Sequence, residues 1–147
     1  MSKRVVLADD HRLFREALRN MLQRQQDIEV VGEAGDGIEA VELVRSLLPD
    51  VVVTDIRMPR LNGSAAIGQL LTAHPSVKVI VVSVNSERIF AQAMLTAGAR
   101  GYVTKSDAEE LPRAIRAVMN DLEYRSLEVA AIVDAPVRTD NSIDGAS

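Results

Sequence analysis

Five polar residues stand where short apolar runs of the chain give out. Asp9 and Asp10 follow Val5–Ala8, Asp55 follows VVVT, Ser83 closes VIVVS and Lys105 follows GYVT. Three carboxylates brought close together repel one another, and the usual relief is protonation or a bound cation. Hard oxygen donors select Mg²⁺, which keeps several waters and takes one or two carboxylates together with phosphate oxygens. A carboxylate beside such a cation can act as a nucleophile toward phosphorus and form an acyl phosphate. Lysine and the cation then neutralise charge on the transferring group, which is most of what phosphoryl transfer asks of a protein. Taken together, the five residues point to Mg²⁺-dependent phosphoryl transfer to a carboxylate.

Each residue alone has an ordinary role. Asp10 suits the N-cap of the helix that follows it. Asp55 could simply open the Ile56–Gly63 loop, where Pro59 and Asn62-Gly63 supply turn chemistry. Hydroxyls and lysines end many strands. His11 reads as a surface residue at a helix start, because no partner stands at metal-ligand spacing. Gly35-Asp36-Gly37 lacks the third glycine of a dinucleotide loop and follows the second strand, so it reads as a turn. Co-location is what lifts the five above these separate roles.

That co-location depends on the elements that position them. Strand-like runs occur at Val5–Ala8, Ile28–Val31, Val51–Thr54, Val77–Ser83 and Gly101–Thr104. They are rich in Val and Ile, as strands covered on both faces are. Between them lie amphipathic segments of helical length. The first carries Leu13, Phe14, Ala17, Leu18, Met21 and Leu22, and the second Ile38, Val41, Val44 and Leu48 before Pro49. Ser64 is placed to cap the third and Ser86 the fourth, with Gly98 ending the fourth. The fifth runs from about Glu109 to Leu122, with Pro112 in its first turn. Strands alternating with helices in this way predict a (βα)5 doubly wound parallel sheet. In such sheets ligands sit beyond the carboxyl ends of the strands, where all five residues fall.

A chain of 147 residues makes one ordinary domain, here residues 1–122. With 47% apolar but only 3% aromatic residues, the core must be mainly aliphatic. There is no cysteine, so thiolate metal sites and cysteine nucleophiles are excluded, and a reducing cytoplasm is a natural setting. No stretch approaches the roughly 20 apolar residues of a membrane span. A net charge of −4 and a pI near 5.2 argue against a domain that grips DNA by itself. After Leu122, residues 123–147 read as a linker-like helix over Leu127–Val133 and a flexible polar tail from Asp134.

The stretches LADDHRLFREAL, VVVTDIRMPRLNG, VIVVSVN and AGARGYVTKSDAEEL resemble the receiver domains of two-component response regulators, and most closely those of the LuxR-like (NarL/FixJ) class. The resemblance spans roughly residues 4–121 and implies a flavodoxin-like strand order of 2-1-3-4-5. It implies Asp55 as phospho-acceptor and Asp9, Asp10, Asp55 and the Arg57 backbone carbonyl as Mg²⁺ ligands. Lys105 would bind phosphoryl oxygens, and Ser83 and Tyr102 would form the switch pair. The phosphoryl donor would be a sensor histidine kinase, and the responding surface would be the fourth helix, fifth strand and fifth helix. Such a domain has no separate substrate and catalyses only its own phosphorylation and dephosphorylation. The side chains of Arg57 and Asn85 would tune the phosphoryl lifetime. A phosphorylation-dependent homodimer is a further implication. Members of that class normally reach DNA through a C-terminal helix-turn-helix domain, for which the residues after Leu122 leave no room. The residues leave open an isolated receiver fragment whose DNA-binding domain lies elsewhere, a stand-alone receiver, or a pseudo-receiver that serves only for docking or dimerisation. A flavin-binding or phosphatase-like enzyme fits less well, because Asp9-Asp10 would repel a phosphate in the loop after the first strand.

Overall fold

The computed structural model describes residues 2–59, 61–85 and 87–126. The expected helix over Leu127–Val133 and the tail from Asp134 lie outside the described residues, as does Ser86. The helix that begins at Arg88 has Glu87 and not Ser86 at its N-cap, with no side-chain cap bond.

Strand β1 (Lys3–Ala8) lies between β2 (Ile28–Ala34) and β3 (Val51–Thr54), and β6 (Lys78–Ser83) and β7 (Gly101–Thr104) follow on the far side of β3. All these pairings are parallel. Numbered by the five long strands alone, the order is 2-1-3-4-5, as the family resemblance implies. Helices α1 (Arg12–Gln23), α2 (Gly37–Leu47), α3 (Gly63–Ala73), α4 (Arg88–Thr96) and α5 (Leu111–Met119) connect and flank the strands.

Strand alternation divides the core into two layers. Val5, Leu7, Val51, Val53, Ile80, Val82 and Val103 face one side, where Leu18 and Leu22 of α1 and Leu111, Ile115 and Val118 of α5 cover them. Val6, Ala8, Val52, Val79, Val81 and Tyr102 face the other, beneath Val44 of α2, Ile67 and Leu70 of α3 and Met94 of α4. Both faces are dry, which explains why the strands read as continuous apolar runs and not as alternating ones.

Five local details depart from the sequence reading. A two-strand hairpin, β4 (Arg57–Met58) with β5 (Leu61–Asn62), interrupts the loop after Asp55. It carries α3 directly off Gly63, whose φ of +64° favours a residue without Cβ, so Ser64 lies inside the helix and does not cap it. The N-cap of α1 is His11 and not Asp10, and it makes no side-chain cap bond. A 3₁₀ turn over Lys105–Glu110 precedes α5. Finally, Tyr124–Arg125, read from sequence as the start of a linker, form β8, a sixth strand parallel to β7. Pro112 does sit in the first turn of α5, and Gly98 does end α4, at φ +119°.

Candidate functional site

The carboxyl ends of β1, β3, β6 and β7 converge as the alternation requires. Asp9 is buried at 2% exposure and receives the His11 N–H on Oδ1 at 2.8 Å. Its own N–H reaches the Ala34 carbonyl at 3.0 Å, and its carbonyl accepts from Arg15 Nη1 at 2.6 Å. Asp55 is 9% exposed; its Oδ1 accepts the Arg57 N–H at 2.9 Å, and its N–H donates to Ala8 O at 2.8 Å. Asp10 is exposed beside them and lines an open cleft of about 620 Å³ with Arg57, Met58, Pro59, Gly63 and Phe90.

Lys105 ties the two buried carboxylates together. Its Nζ stands 2.9 Å from Asp9 Oδ2 and 3.0 Å from Asp55 Oδ2, and the Phe14 ring lies below it with its centroid at 4.5 Å. Burial opposes the charge on this ammonium, but the two carboxylates outweigh it and raise its pKa. The arrangement holds three carboxylates against one ammonium, a net deficit of two positive charges.

One oxygen from each of Asp9, Asp10 and Asp55 can be chosen so that all lie within 4.8 Å of one another. Ligand oxygens on an octahedral Mg²⁺ stand about 3.0 Å apart when adjacent and about 4.2 Å when opposite, so the three carboxylates would close in by about an ångström around an ion. The Lys105 ammonium lies against Asp9 Oδ2, which receives no well-aligned hydrogen bond among the described residues. Donor type, proximity and charge therefore fit a hard divalent cation once the side chains close on it. That Asp10 caps no helix leaves its carboxylate free for this role.

Ser83 and Tyr102 meet through one loop. Ser83 Oγ, buried at the end of β6, accepts the Asn85 N–H at 3.0 Å, and the Tyr102 hydroxyl donates to the Asn85 carbonyl at 2.6 Å. The Tyr102 ring is fully buried, edge-on to Phe90 at 6.3 Å, and Phe90 in turn faces the Arg57 guanidinium at 5.9 Å. Burial raises the pKa of Tyr102, with the Ser83 hydroxyl pulling the other way.

All the residues singled out from sequence thus gather at one end of the sheet. Sequence reasoning missed Phe14, Arg15, Glu33 and Phe90. Arg15 and Arg19 are four apart, a spacing that puts them on one face of α1, and both reach Glu33 at the end of β2. That spacing was the available signal. Phe14 reads from sequence simply as part of the apolar face of the first helix, and Phe90 carries no sequence signal of its own.

The family model for the response regulator receiver domain matches residues 5–116. The transcriptional regulatory protein DegU of Brevibacillus brevis is 40% identical over 121 residues, covering 82% of this chain and 51% of that protein. Response regulator GacA of Pseudomonas aeruginosa is 40% identical over 128 residues, covering 86% of this chain and 60% of its own. A crystal structure of a LuxR-family two-component response regulator from an Aurantimonas species superposes with a TM-score of 0.86 at 33% identity, covering 91% of this chain and 96% of that one. The chain spans only about half to three-fifths of the two curated relatives. Among the described residues no helix is long and apolar enough to cross a membrane.

Proposed function

The chain belongs to the response regulator receiver family of two-component systems, and from that footing we propose that Asp55 accepts a phosphoryl group from a sensor histidine kinase. The observation that carries the reading is the Lys105 ammonium, held within 3.0 Å of both Asp55 and Asp9 while Asp10 stands alongside. A docking module has no need to crowd three carboxylates around one lysine.

A carboxylate oxygen of Asp55 forms the new bond to phosphorus as the phosphorus–nitrogen bond of a phosphohistidine breaks, and the departing imidazole takes up a proton. The Arg57 N–H on Oδ1 holds the carboxylate in place for this attack. Lys105, already against Oδ2, follows the phosphoryl oxygens as they arrive. Asp9, Asp10, Asp55 and the Arg57 carbonyl would hold Mg²⁺, which when bound neutralises charge on the carboxylates and the phosphoryl group.

The switch runs through Asn85. When the Ser83 hydroxyl turns toward the phosphoryl oxygens, the loop that accepts the Tyr102 hydroxyl is pulled with it. A charge-assisted hydrogen bond is worth about 1.5–3 kcal/mol, which shifts a two-state ratio by roughly 10- to 150-fold. The surface that answers is α4, β7 and α5, and it also offers a route to a phosphorylation-dependent homodimer. We assign residues 1–122 to the receiver proper and extend its sheet by β8. Control of transcription through a C-terminal DNA-binding domain, in the cytoplasm, completes the proposal.

Incubation with Mg²⁺ and acetyl phosphate should add one phosphoryl mass to the wild-type chain and none to Asp55→Asn. An unmodified wild type across several small phosphodonors would leave only the docking-module reading.

A further inference from the structure

Asp9 is held by four contacts, and one of them involves a side chain outside the residues assigned to phosphoryl transfer. Arg15, in the second turn of α1, donates Nη1 to the Asp9 carbonyl at 2.6 Å and Nε to Glu33 Oε1 at 3.1 Å. Its side chain is 17% exposed and that of Glu33 is 23% exposed. The other Glu33 oxygen accepts from Arg19 Nη1 at 2.8 Å, so the carboxylate is occupied on both sides. The guanidinium also lies against Gly35, where an added Cβ would stand 3.5 Å from Nη1.

The Asp9 carbonyl belongs to the peptide group that joins Asp9 to Asp10. Whatever sets the plane of that peptide sets where the exposed Asp10 carboxylate stands relative to Asp9 and Asp55. We infer that Arg15 is a positioning residue for the cation site, a two-armed clamp from Glu33 on β2 to the peptide that carries two of its three carboxylates. This inference rests on the reading of Asp9, Asp10 and Asp55 as Mg²⁺ ligands. Planar guanidinium suits the task, because it can hold two acceptors in a fixed geometry where an ammonium is a single point charge. The charge also helps: a cation bonded to the Asp9 carbonyl offsets the mutual repulsion of the carboxylates while leaving their oxygens to the metal.

The test measures Mg²⁺ affinity directly, by amide chemical shifts of the full chain titrated with MgCl₂, with no phosphodonor present. Groups that orient metal ligands typically change affinity by 10- to 100-fold, so Arg15→Gln should weaken binding by about tenfold or more. Arg15→Lys keeps the charge and loses the fork, and should still bind about fivefold more weakly than wild type. Arg19→Ala removes an ion pair to the same Glu33 without touching Asp9, and should stay within about twofold of wild type. Thermal unfolding in EDTA separates affinity from stability, since Arg15→Lys and Arg19→Ala should unfold close together. Wild-type affinity in both Arg15 variants would overturn the clamp alone, and equal weakening in Arg19→Ala would reduce it to general support of α1. No Mg²⁺ response in the wild type would overturn the acceptor reading as well.

Discussion

Replacing Lys105 with Met removes an ammonium and keeps an unbranched stem over Phe14. At 2.9 and 3.0 Å, and with an effective dielectric near 20, each of its two ion pairs attracts by about 5–6 kcal/mol. Desolvation of three charges cancels most of that attraction. The net effect of deletion is better judged from the carboxylates left behind, since stripping one partner from a buried pair destabilises by about 3–5 kcal/mol. The Lys105 side chain is 15% exposed, so solvent relieves part of the penalty, and the lower end, about 3 kcal/mol, is expected. Urea unfolding in EDTA would read this as a midpoint lowered by about 1 M or more at unchanged slope, given slopes of about 1–3 kcal/mol/M. The sign of a second change makes the test specific. In the Lys105→Met background, Asp55→Asn removes one of two unpaired carboxylates and should recover about 1 kcal/mol. A Lys105→Met variant within about 0.5 kcal/mol of wild type would refute the bridging geometry. So would an Asp55→Asn change that destabilises it further.

Tyr102→Phe deletes one part-buried hydrogen bond to the Asn85 carbonyl and should lower stability by about 1 kcal/mol in urea unfolding. Gly98→Ala forces a side chain onto φ +119° with its Cβ 2.7 Å from Leu71 Cδ1, and should lower stability by about 2 kcal/mol or more, measured by thermal unfolding. Tyr124 is held protonated to about 12, first by burial and then by its hydrogen bond to Glu110 at 2.6 Å. Its folded value lies above the unfolded one near 10, so its contribution is fully present below about pH 10 and is lost as pH rises toward about 12. Because the chain has only two tyrosines, ultraviolet titration of Tyr102→Phe reports Tyr124 alone; a midpoint near 10 would contradict the contact.

The long strands and the convergence of Asp9, Asp55, Ser83 and Lys105 were legible because each rests on a local pattern. Uninterrupted Val/Ile runs signal strands covered on both sides, and a polar residue that ends such a run must emerge at the sheet edge. What escaped depends on distant partners. The two-residue strands at Arg57–Met58 and Tyr124–Arg125 are too short to show periodicity and exist only through their pairing. Asp10 looked like a helix cap because its residue type favours one, yet His11 holds that position and its N–H bonds to Asp9. Arg15 and Glu33 are 18 residues apart in sequence, and only the packing of α1 on β2 brings them together.

The central claim is that Asp55 is the nucleophile. Borohydride reduces an acyl phosphate on aspartate to homoserine, so treating the phosphodonor-loaded chain and mapping its peptides identifies the acceptor. Homoserine at position 55, absent when Mg²⁺ is withheld, is the predicted result. Homoserine at position 9 or 10, or at none of the three carboxylates after a phosphoryl mass has been added, would contradict it.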